Sequence, residues 1–433
     1  MAPVFHVIVN PAAGHGQAAD FVRAKVEPLL KHCQIAYKIH QTSGVKDAGR
    51  IGQEIQNSIP LEEPRLVIVA GGDGTAHELI EGILDQSSAG DDQGIGTWRL
   101  AILPCGTANA LFHSLFPDSH RHDSVGELGQ HLATLTNEDE HQLSSLTSAI
   151  ESLKAPQTNV LPLPITLTTI ASQKRIPTHI VLSTSLHASI LHDSEALRET
   201  MPGIERFKVA ASQNMSVAFK ADAVLRGTRV RQYSPKTKSF IEPFTISDAS
   251  ISASSSSSSS SSSTKEWVVP GPFSYFLSTT TANRLEQAFV VAPTLSLLPP
   301  GSEDGGPSMD IIIIRPGRDP SVIAAQDQGE EATGKMRAKR LGEIAGNIYK
   351  NGSHVNLTFA RDESGSLEHG GEGEVAVEVF RAQGFDWIPT DTSHQASHYV
   401  CADGDIHVIP SGERAIVELM DRHPAGHGFF VWK

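Results

Sequence analysis

Three glycine-bearing segments hold the residue types able to do chemistry, and each directly follows a short β-branched run. The first, Asn10-Pro11-Ala12-Ala13-Gly14-His15-Gly16, follows Val4 to Val9. Glycine there lets backbone N–H groups approach phosphate oxygens closely, and a helix beginning just beyond adds a favourable dipole. By itself such a turn is equally a tight connection. The second runs from Leu66 to Ala70 into Gly71-Gly72-Asp73-Gly74-Thr75 and on into the helical pattern of His77 to Ile83. A carboxylate fixed among glycines at a strand-to-helix turn is placed to accept a proton from an attacking hydroxyl in phosphoryl transfer, its plainer role being a helix cap. The third, Pro104-Cys105-Gly106-Thr107-Ala108-Asn109-Ala110, follows Arg99 to Leu103. Gly106 permits close approach, Thr107 offers a hydroxyl, and Asn109 offers an amide able to read an adenine edge.

The elements that must position these turns alternate. Val4 to Val9, Ile35 to His40 and Leu66 to Ala70 read as strands; Gly16 to His32 and Asp47 to Ser58 read as helices. This βαβαβ order predicts an α/β domain with a parallel sheet and ligand sites on the loops beyond the strands' carboxyl ends. Ser87 to Gly96 reads as a solvated connection, and Ser119 to Gln157 as a polar crossing segment with a surface helix at Leu128, Leu132 and Leu135. From Val160 the period changes to two, and Leu163 to Ile170, His179 to Ser185, Val209 to Phe219 and Ser274 to Thr279 predict a second, β-rich domain. We therefore expect a nucleotide domain over 1–150 and a β-rich domain over 151–433. The second carries a serine-rich disordered insertion over 247–265 and a flexible acidic loop over 317–336, and the tail Ala415 to Lys433 is free to return to either domain.

Composition narrows the function classes. At 433 residues the chain exceeds what one core usually organises, and its formal charge of −14 speaks against broad capture of nucleic acid or anionic surfaces. Cys33, Cys105 and Cys401 are widely spaced, which argues against a disulfide framework or a zinc site and for a reducing, cytoplasmic setting. No apolar run reaches the roughly 18 residues of a transmembrane segment, so the chain reads as soluble, with membrane contact local and transient. His77, His187 and His192 match no metal-ligand spacing.

In this order and at these separations, NPAAGHG, VIVAGGDGTAHELIEGIL and LPCGTANAL resemble the diacylglycerol kinase catalytic domain shared by sphingosine, ceramide and diacylglycerol kinases, over roughly residues 4 to 115. The resemblance implies an α/β nucleotide domain like that of phosphofructokinase and NAD kinase, a β-rich lipid-binding domain, ATP with Mg²⁺, and a lipid substrate at a membrane surface. A homodimer is left open. Carried across, Asp73 resembles the catalytic base, with Gly71, Gly72, Gly74 and Thr75 as its loop. Asn10, Pro11, Ala12, Gly14 and Gly16 resemble the first nucleotide-contacting turn, Glu78 a helix acid beside the nucleotide, and Gly106, Thr107, Ala108 and Asn109 the third loop. Thr42 stands where the family often has a nucleotide-binding threonine, and reads equally as a helix cap. His187 to Arg198 followed by Arg206-Phe207 is similar to the S-E-x-x-R and R-F segments of sphingosine and ceramide kinases, making Arg198 and Arg206 phosphate-clamp candidates and Ser189, Asp193 and Glu195 substrate-side candidates. Asp403, Gly404 and Asp405 resemble the family's D-G-E turn near the nucleotide and its Mg²⁺, with Asp405 in place of Glu, and read equally as a hairpin turn.

The resemblance implies in-line transfer from ATP to a lipid hydroxyl, most naturally of a sphingoid base or ceramide. Sphingosine kinases usually carry acids where this chain has Ser189 and Leu191, and the run Ile190 to Glu195 looks closer to ceramide kinases. The other readings are a diacylglycerol kinase, a kinase for a soluble acceptor such as NAD, and a catalytically silent lipid-binding module. The apolar runs from Ile180 to Leu191 and from Phe273 to Leu298 serve either a lipid pocket or a packed core.

Overall fold

The structure is a computed structural model that describes residues 3–87, 94–117, 124, 126–154, 159–171, 175–201, 203, 205–246, 265–301, 304, 306–362, 365–420 and 427–433. Two compact units form. Met1–Ile165, Arg284–Gln287 and Met420–Lys433 make the first; Thr166–Asn283 and Ala288–Leu419 make the second. The division thus falls at 165 rather than 150, and the end of the chain belongs to the first unit.

In the first unit β1 (Val4–Val9) leads to α1 (Ala18–Phe21), which continues through a π turn at Val22–Val26 into α2 (Glu27–His32). Then come β2 (Ala36–Gln41), α3 (Asp47–Ser58), β3 (Arg65–Gly71), α4 (Asp73–Ser87), β4 (Thr97–Pro104) and α5 (Ala110–Leu115). The four strands are parallel in the order β2-β1-β3-β4. All seven residues of β3 are buried, which explains its unbroken apolar run. Chain order reverses across the β1–β3 step, the place where open parallel sheets leave a crevice beyond their carboxyl ends.

The segment after Ser119 departs from expectation. Its described part folds as α6 (Gly126–Leu132), α7 (Asn137–Gln142) and α8 (Ser144–Lys154), followed by β5 (Val160–Pro162). Leu128, Leu132, Leu143, Leu146 and Ile150 are buried in one core with Phe5, Val7, Ile68 and Trp432, so these helices cover the sheet rather than float on its surface. The serines of α8 mask this in the sequence. They are buried, and Ser145 donates to the carbonyl of Trp432. The closing strand Gly428–Trp432 lies parallel to β4 and antiparallel to β5.

The second unit is a sandwich of an eight-stranded and a six-stranded antiparallel sheet, with a small hairpin of Leu357–Phe359 and Leu367–His369. Phe276, Ile311, Ile313, Phe380 and Val400 from the larger sheet meet Ala223, Leu225, Phe385, Trp387 and Val417 from the smaller one. Leu182, Phe273 and Phe276 belong to this core, so those parts of the apolar runs are packed interior.

Two expectations are corrected here. Val209 to Phe219, expected as a strand, begins inside the helix Glu205–Asn214, whose single fully buried apolar residue, Ala210, leaves little amphipathic signal. The loop expected over 317–336 is largely helical, as Pro320–Gln326 and Glu330–Ile348. Asp319 accepts from the N–H groups of Ser321 and Val322 as N-cap, and its carboxylate also holds the buried Arg340. That long-range tie orders a stretch whose composition alone reads as loop. The serine run Ser254 to Ser263 and residues 88–93 lie outside the described residues.

Two measurements test these packings. A Cβ on Gly82 would lie 2.3 Å from the Cα of Gly49, so Gly82→Val should destabilise by about 1–3 kcal/mol. Gly346→Ala, in open space on a helix, should stabilise by about 0.5–1 kcal/mol in the same urea titration. Equal midpoints for the two variants would contradict the α3–α4 contact. Burial also pushes the imidazoles of His187 and His354 down to about 4. Both rings are neutral in the fold and able to charge once unfolded. Their contribution is therefore complete above the unfolded value near 6.5 and is lost as pH falls from there toward about 4. Unfolding free energy should drop on acidification from pH 7 to 5, and His354→Gln should flatten that slope by on the order of 1 kcal/mol.

Candidate active site

The three glycine turns meet at the carboxyl ends of β1, β3 and β4. Asn10 N–H donates to the Ala70 carbonyl at 3.0 Å, and Cys105 N–H to the Gly71 carbonyl at 3.1 Å, so the first and third turns are each strapped to the second. Asn10 also uses its side chain: Nδ2 donates to Thr75 Oγ1 at 3.0 Å while Oδ1 accepts from Ala12 N–H. Thr42 N–H donates to Val9 O, which brings the end of β2 to the same edge.

Glycine is required here by space. A Cβ on Gly106 would sit 2.3 Å from the Cα of Gly72, and one on Gly71 would strike the Thr75 side chain at 2.4 Å. Gly14 has φ +56° and Gly16 φ +77°, the left-handed region that glycine enters without a Cβ penalty. A Cβ on Gly14 would also meet the Cys105 carbonyl at 2.6 Å.

Asp73, half-buried, opens α4 and reaches across to the next helix. Its Oδ2 accepts from Ala110 N–H at 2.8 Å and its Oδ1 from Leu111 N–H at 3.2 Å. Asp73 thus caps α5, the helix that follows the adjacent strand. These two amide bonds orient the carboxylate at the edge of the sheet. The amides of Ala110 and Leu111 are the functional groups that the sequence reading missed. Their signal was the helical pattern beginning directly after Asn109.

Other expected residues divide by what their side chains do. Asn109, expected to present its amide to a base edge, folds it back with φ 52°: Oδ1 accepts from Gly106 N–H at 2.7 Å and Nδ2 donates to Gly106 O at 3.0 Å. Bracing the tight turn takes up that amide. Thr42 is buried and is not a cap, since Lys46 is the N-cap residue of α3 and Ser43 binds Asp47. Pro11, Ala12, Gly74, Glu78, Thr107 and Ala108 lie on these same turns or the first turns of α4, with Ala12, Gly74 and Thr107 exposed. Burial pushes the Cys105 thiol up to about 12, which makes it a poor nucleophile beside the turn.

The remaining candidates belong to the second unit. Asp403 and Gly404 form the two-residue turn of a hairpin, with φ 49° and 109°. The Asp403 side chain is fully buried and accepts from the N–H groups of His179, Ile180 and Val181 at 2.9, 3.0 and 2.8 Å. It is thereby a structural clasp, while Asp405 at the head of the next strand is exposed. Ser189, expected to face substrate, is buried in the helix Ser185–Ala196. Asp193 accepts from Asn214 Nδ2 at 2.7 Å and joins two helices. Exposed Glu195 pairs with exposed Arg198 at 2.9 Å. Arg206 donates to Gly203 O and lies 4.4 Å over the Phe207 ring.

Comparison with known proteins agrees with the geometry. Residues 4–144 match the diacylglycerol kinase catalytic domain. It is similar to the mitochondrial acylglycerol kinase of Pongo abelii, 28% identical over 30% of this chain and 27% of that protein. It is also similar to sphingosine kinase 1 of Homo sapiens, 30% identical over 25% of this chain and 27% of that one. The chain thus spans about a quarter of the length of these relatives. A solved structure of a putative diacylglycerol kinase from Bacillus anthracis str. Sterne aligns over 99% of this chain and 95% of its own at 13% identity, with a TM-score of 0.45.

The clasp is open to test. Asp403→Ala removes the acceptor of three backbone amides and should destabilise the second unit by about 3 kcal/mol, read by urea unfolding. A loss below about 0.5 kcal/mol would remove Asp403 from that role.

Proposed function

We propose that this chain is an ATP-dependent lipid kinase that transfers the γ-phosphoryl group to a lipid hydroxyl. The observation that carries the reading is Asp73, pinned by two amides at the edge where three glycine turns converge beside the chain-order reversal. Match of residues 4–144 to the diacylglycerol kinase catalytic domain supports the reaction class, and the printed names of the relatives support a lipid acceptor.

In this reading the nucleotide's phosphates lie against the backbone of the turns at Asn10 to Gly16 and Gly71 to Thr75, where glycine allows close approach. Asp73 orients the acceptor hydroxyl and takes its proton as the new P–O bond forms and the bond to the leaving ADP breaks. The amide pair keeps the carboxylate aimed. Mg²⁺, when the nucleotide carries it, neutralises phosphate charge. Glu78 is the further acid that α4 supplies to the nucleotide side, and Arg198 and Arg206 remain the proposed phosphate clamps.

The acceptor we favour is a sphingolipid, a sphingoid base or ceramide. An acylglycerol is the second reading, favoured by the similarity to acylglycerol kinases. No helix among the described residues is long and apolar enough to cross a membrane, and all three cysteines are free thiols. The free thiols support a cytoplasmic enzyme, which in this reading meets its lipid transiently at a membrane surface.

A labelled-ATP assay against sphingosine, ceramide, diacylglycerol and NAD decides the reading. Wild type should phosphorylate at least one lipid, and Asp73→Asn, which loses one of the two amide bonds and so about 1 kcal/mol of stability, should lower kcat by about 10²–10⁴-fold while remaining folded at the assay temperature. Turnover of NAD alone, or an Asp73→Asn enzyme as active as wild type, would refute it.

A further inference from the structure

The second unit contains a groove of about 560 Å³ that the reaction does not use. One wall is a single face of the helix Glu330–Ile348, presenting Met336, Lys339, Arg340, Glu343 and Asn347, with Lys350 just beyond its end. The small hairpin faces it with Leu357, Leu367 and His369. The volume lies within the range of small-molecule sites.

Its polar groups differ in what they are already doing. Arg340 is fixed: Nε donates to Asp319, Nη1 to Glu343 at 2.7 Å, and Nη2 to Ser321 Oγ and the Gly365 carbonyl. Glu343, the acid of the lining, is therefore turned toward Arg340, and Asn347 is bonded to Glu343 O and Ser353 Oγ. Lys339 approaches Glu343 only at 3.9 Å with a side chain 68% exposed, while Lys350 and His369 stand exposed on the rim. Two flexible ammonium groups and an imidazole thus border a floor of Met336, Leu357 and Leu367, on a chain whose formal charge is −14.

We propose that this groove binds an amphiphile carrying a phosphate monoester, the phosphate between Lys339 and Lys350 with His369 beside it and the apolar part on Met336, Leu357 and Leu367. A phosphate monoester carries close to two negative charges at neutral pH, which two lysines balance and a single carboxylate does not. The apolar floor adds affinity in proportion to the area it covers, which a bare ion does not gain. The site stands independently of Asp73 and of phosphoryl transfer, because none of its lining belongs to the first unit.

Isothermal titration of the full chain with monododecyl phosphate, kept below its micellar concentration, tests this. Inorganic phosphate and dodecanoate serve as the two comparison probes. Monododecyl phosphate should bind at least tenfold more tightly than either. Lys339→Ala combined with Lys350→Ala should weaken it at least tenfold, as should Met336→Ala combined with Leu367→Ala, while Asp73→Asn leaves it unchanged. The lysine substitutions lie on exposed side chains, so the melting temperature should not move. If inorganic phosphate binds equally well the site is an anion site only and the proposal fails. It fails equally if dodecanoate matches the phosphate, or if neither double variant changes the affinity.

Discussion

The candidate site depends on one constraint: the carboxylate of Asp73 is held by the first amides of the helix that follows the adjacent strand. That arrangement requires the β3 and β4 turns to lie almost in contact, with no Cβ on Gly72 or Gly106. The strap from Cys105 to Gly71 and the strap from Asn10 to Ala70 set the spacing. Removing any one of these ties would let the acid drift from the edge at which the backbone amides of the other turns converge. In phosphoryl transfer positioning supplies most of the catalysis, so such drift matters more than a change in the acid's intrinsic strength.

The second unit is organised by buried charge. Arg381 pairs with Asp310 at 2.7 Å and Asp304 at 3.3 Å, Arg315 with Glu378 at 2.6 Å, and Arg340 with Asp319 at 2.5 Å. Burial pushes the Asp310 carboxyl up and Arg381 pulls it back down, so burial and pairing act in opposite directions on it. Such pairs contribute little net stability because desolvation offsets attraction, yet losing one partner leaves an uncompensated buried charge. The helix Glu330–Ile348 is anchored this way through Arg340, which also fixes one wall of the proposed amphiphile groove.

Much of the first unit was legible before any coordinates. Buried parallel strands are continuous apolar runs, and their ends are marked by glycine, so β1, β3 and β4 and the turns after them follow from local pattern. The second unit was legible only as alternating strands. Its helix Glu205–Asn214 and the helices after Asp319 carry weak periodicity, and their order comes from contacts distant in the chain.

What the sequence by itself determined is the run of glycines around Asp73 and the resemblance of roughly residues 4 to 115 to a known catalytic domain, because these rest on spacing within a few residues. What only the tertiary structure decided is how those residues are employed. Asn109 braces its own turn, Asp403 clasps three amides, and Asp73 caps a helix 37 residues away. The closing strand likewise found its sheet through pairing with β4, at the far end of the chain. The physical reason is common to all four. A hydrogen-bonding group is satisfied by whichever partner the packed chain brings within about 3 Å, and separation along the sequence does not reveal that partner.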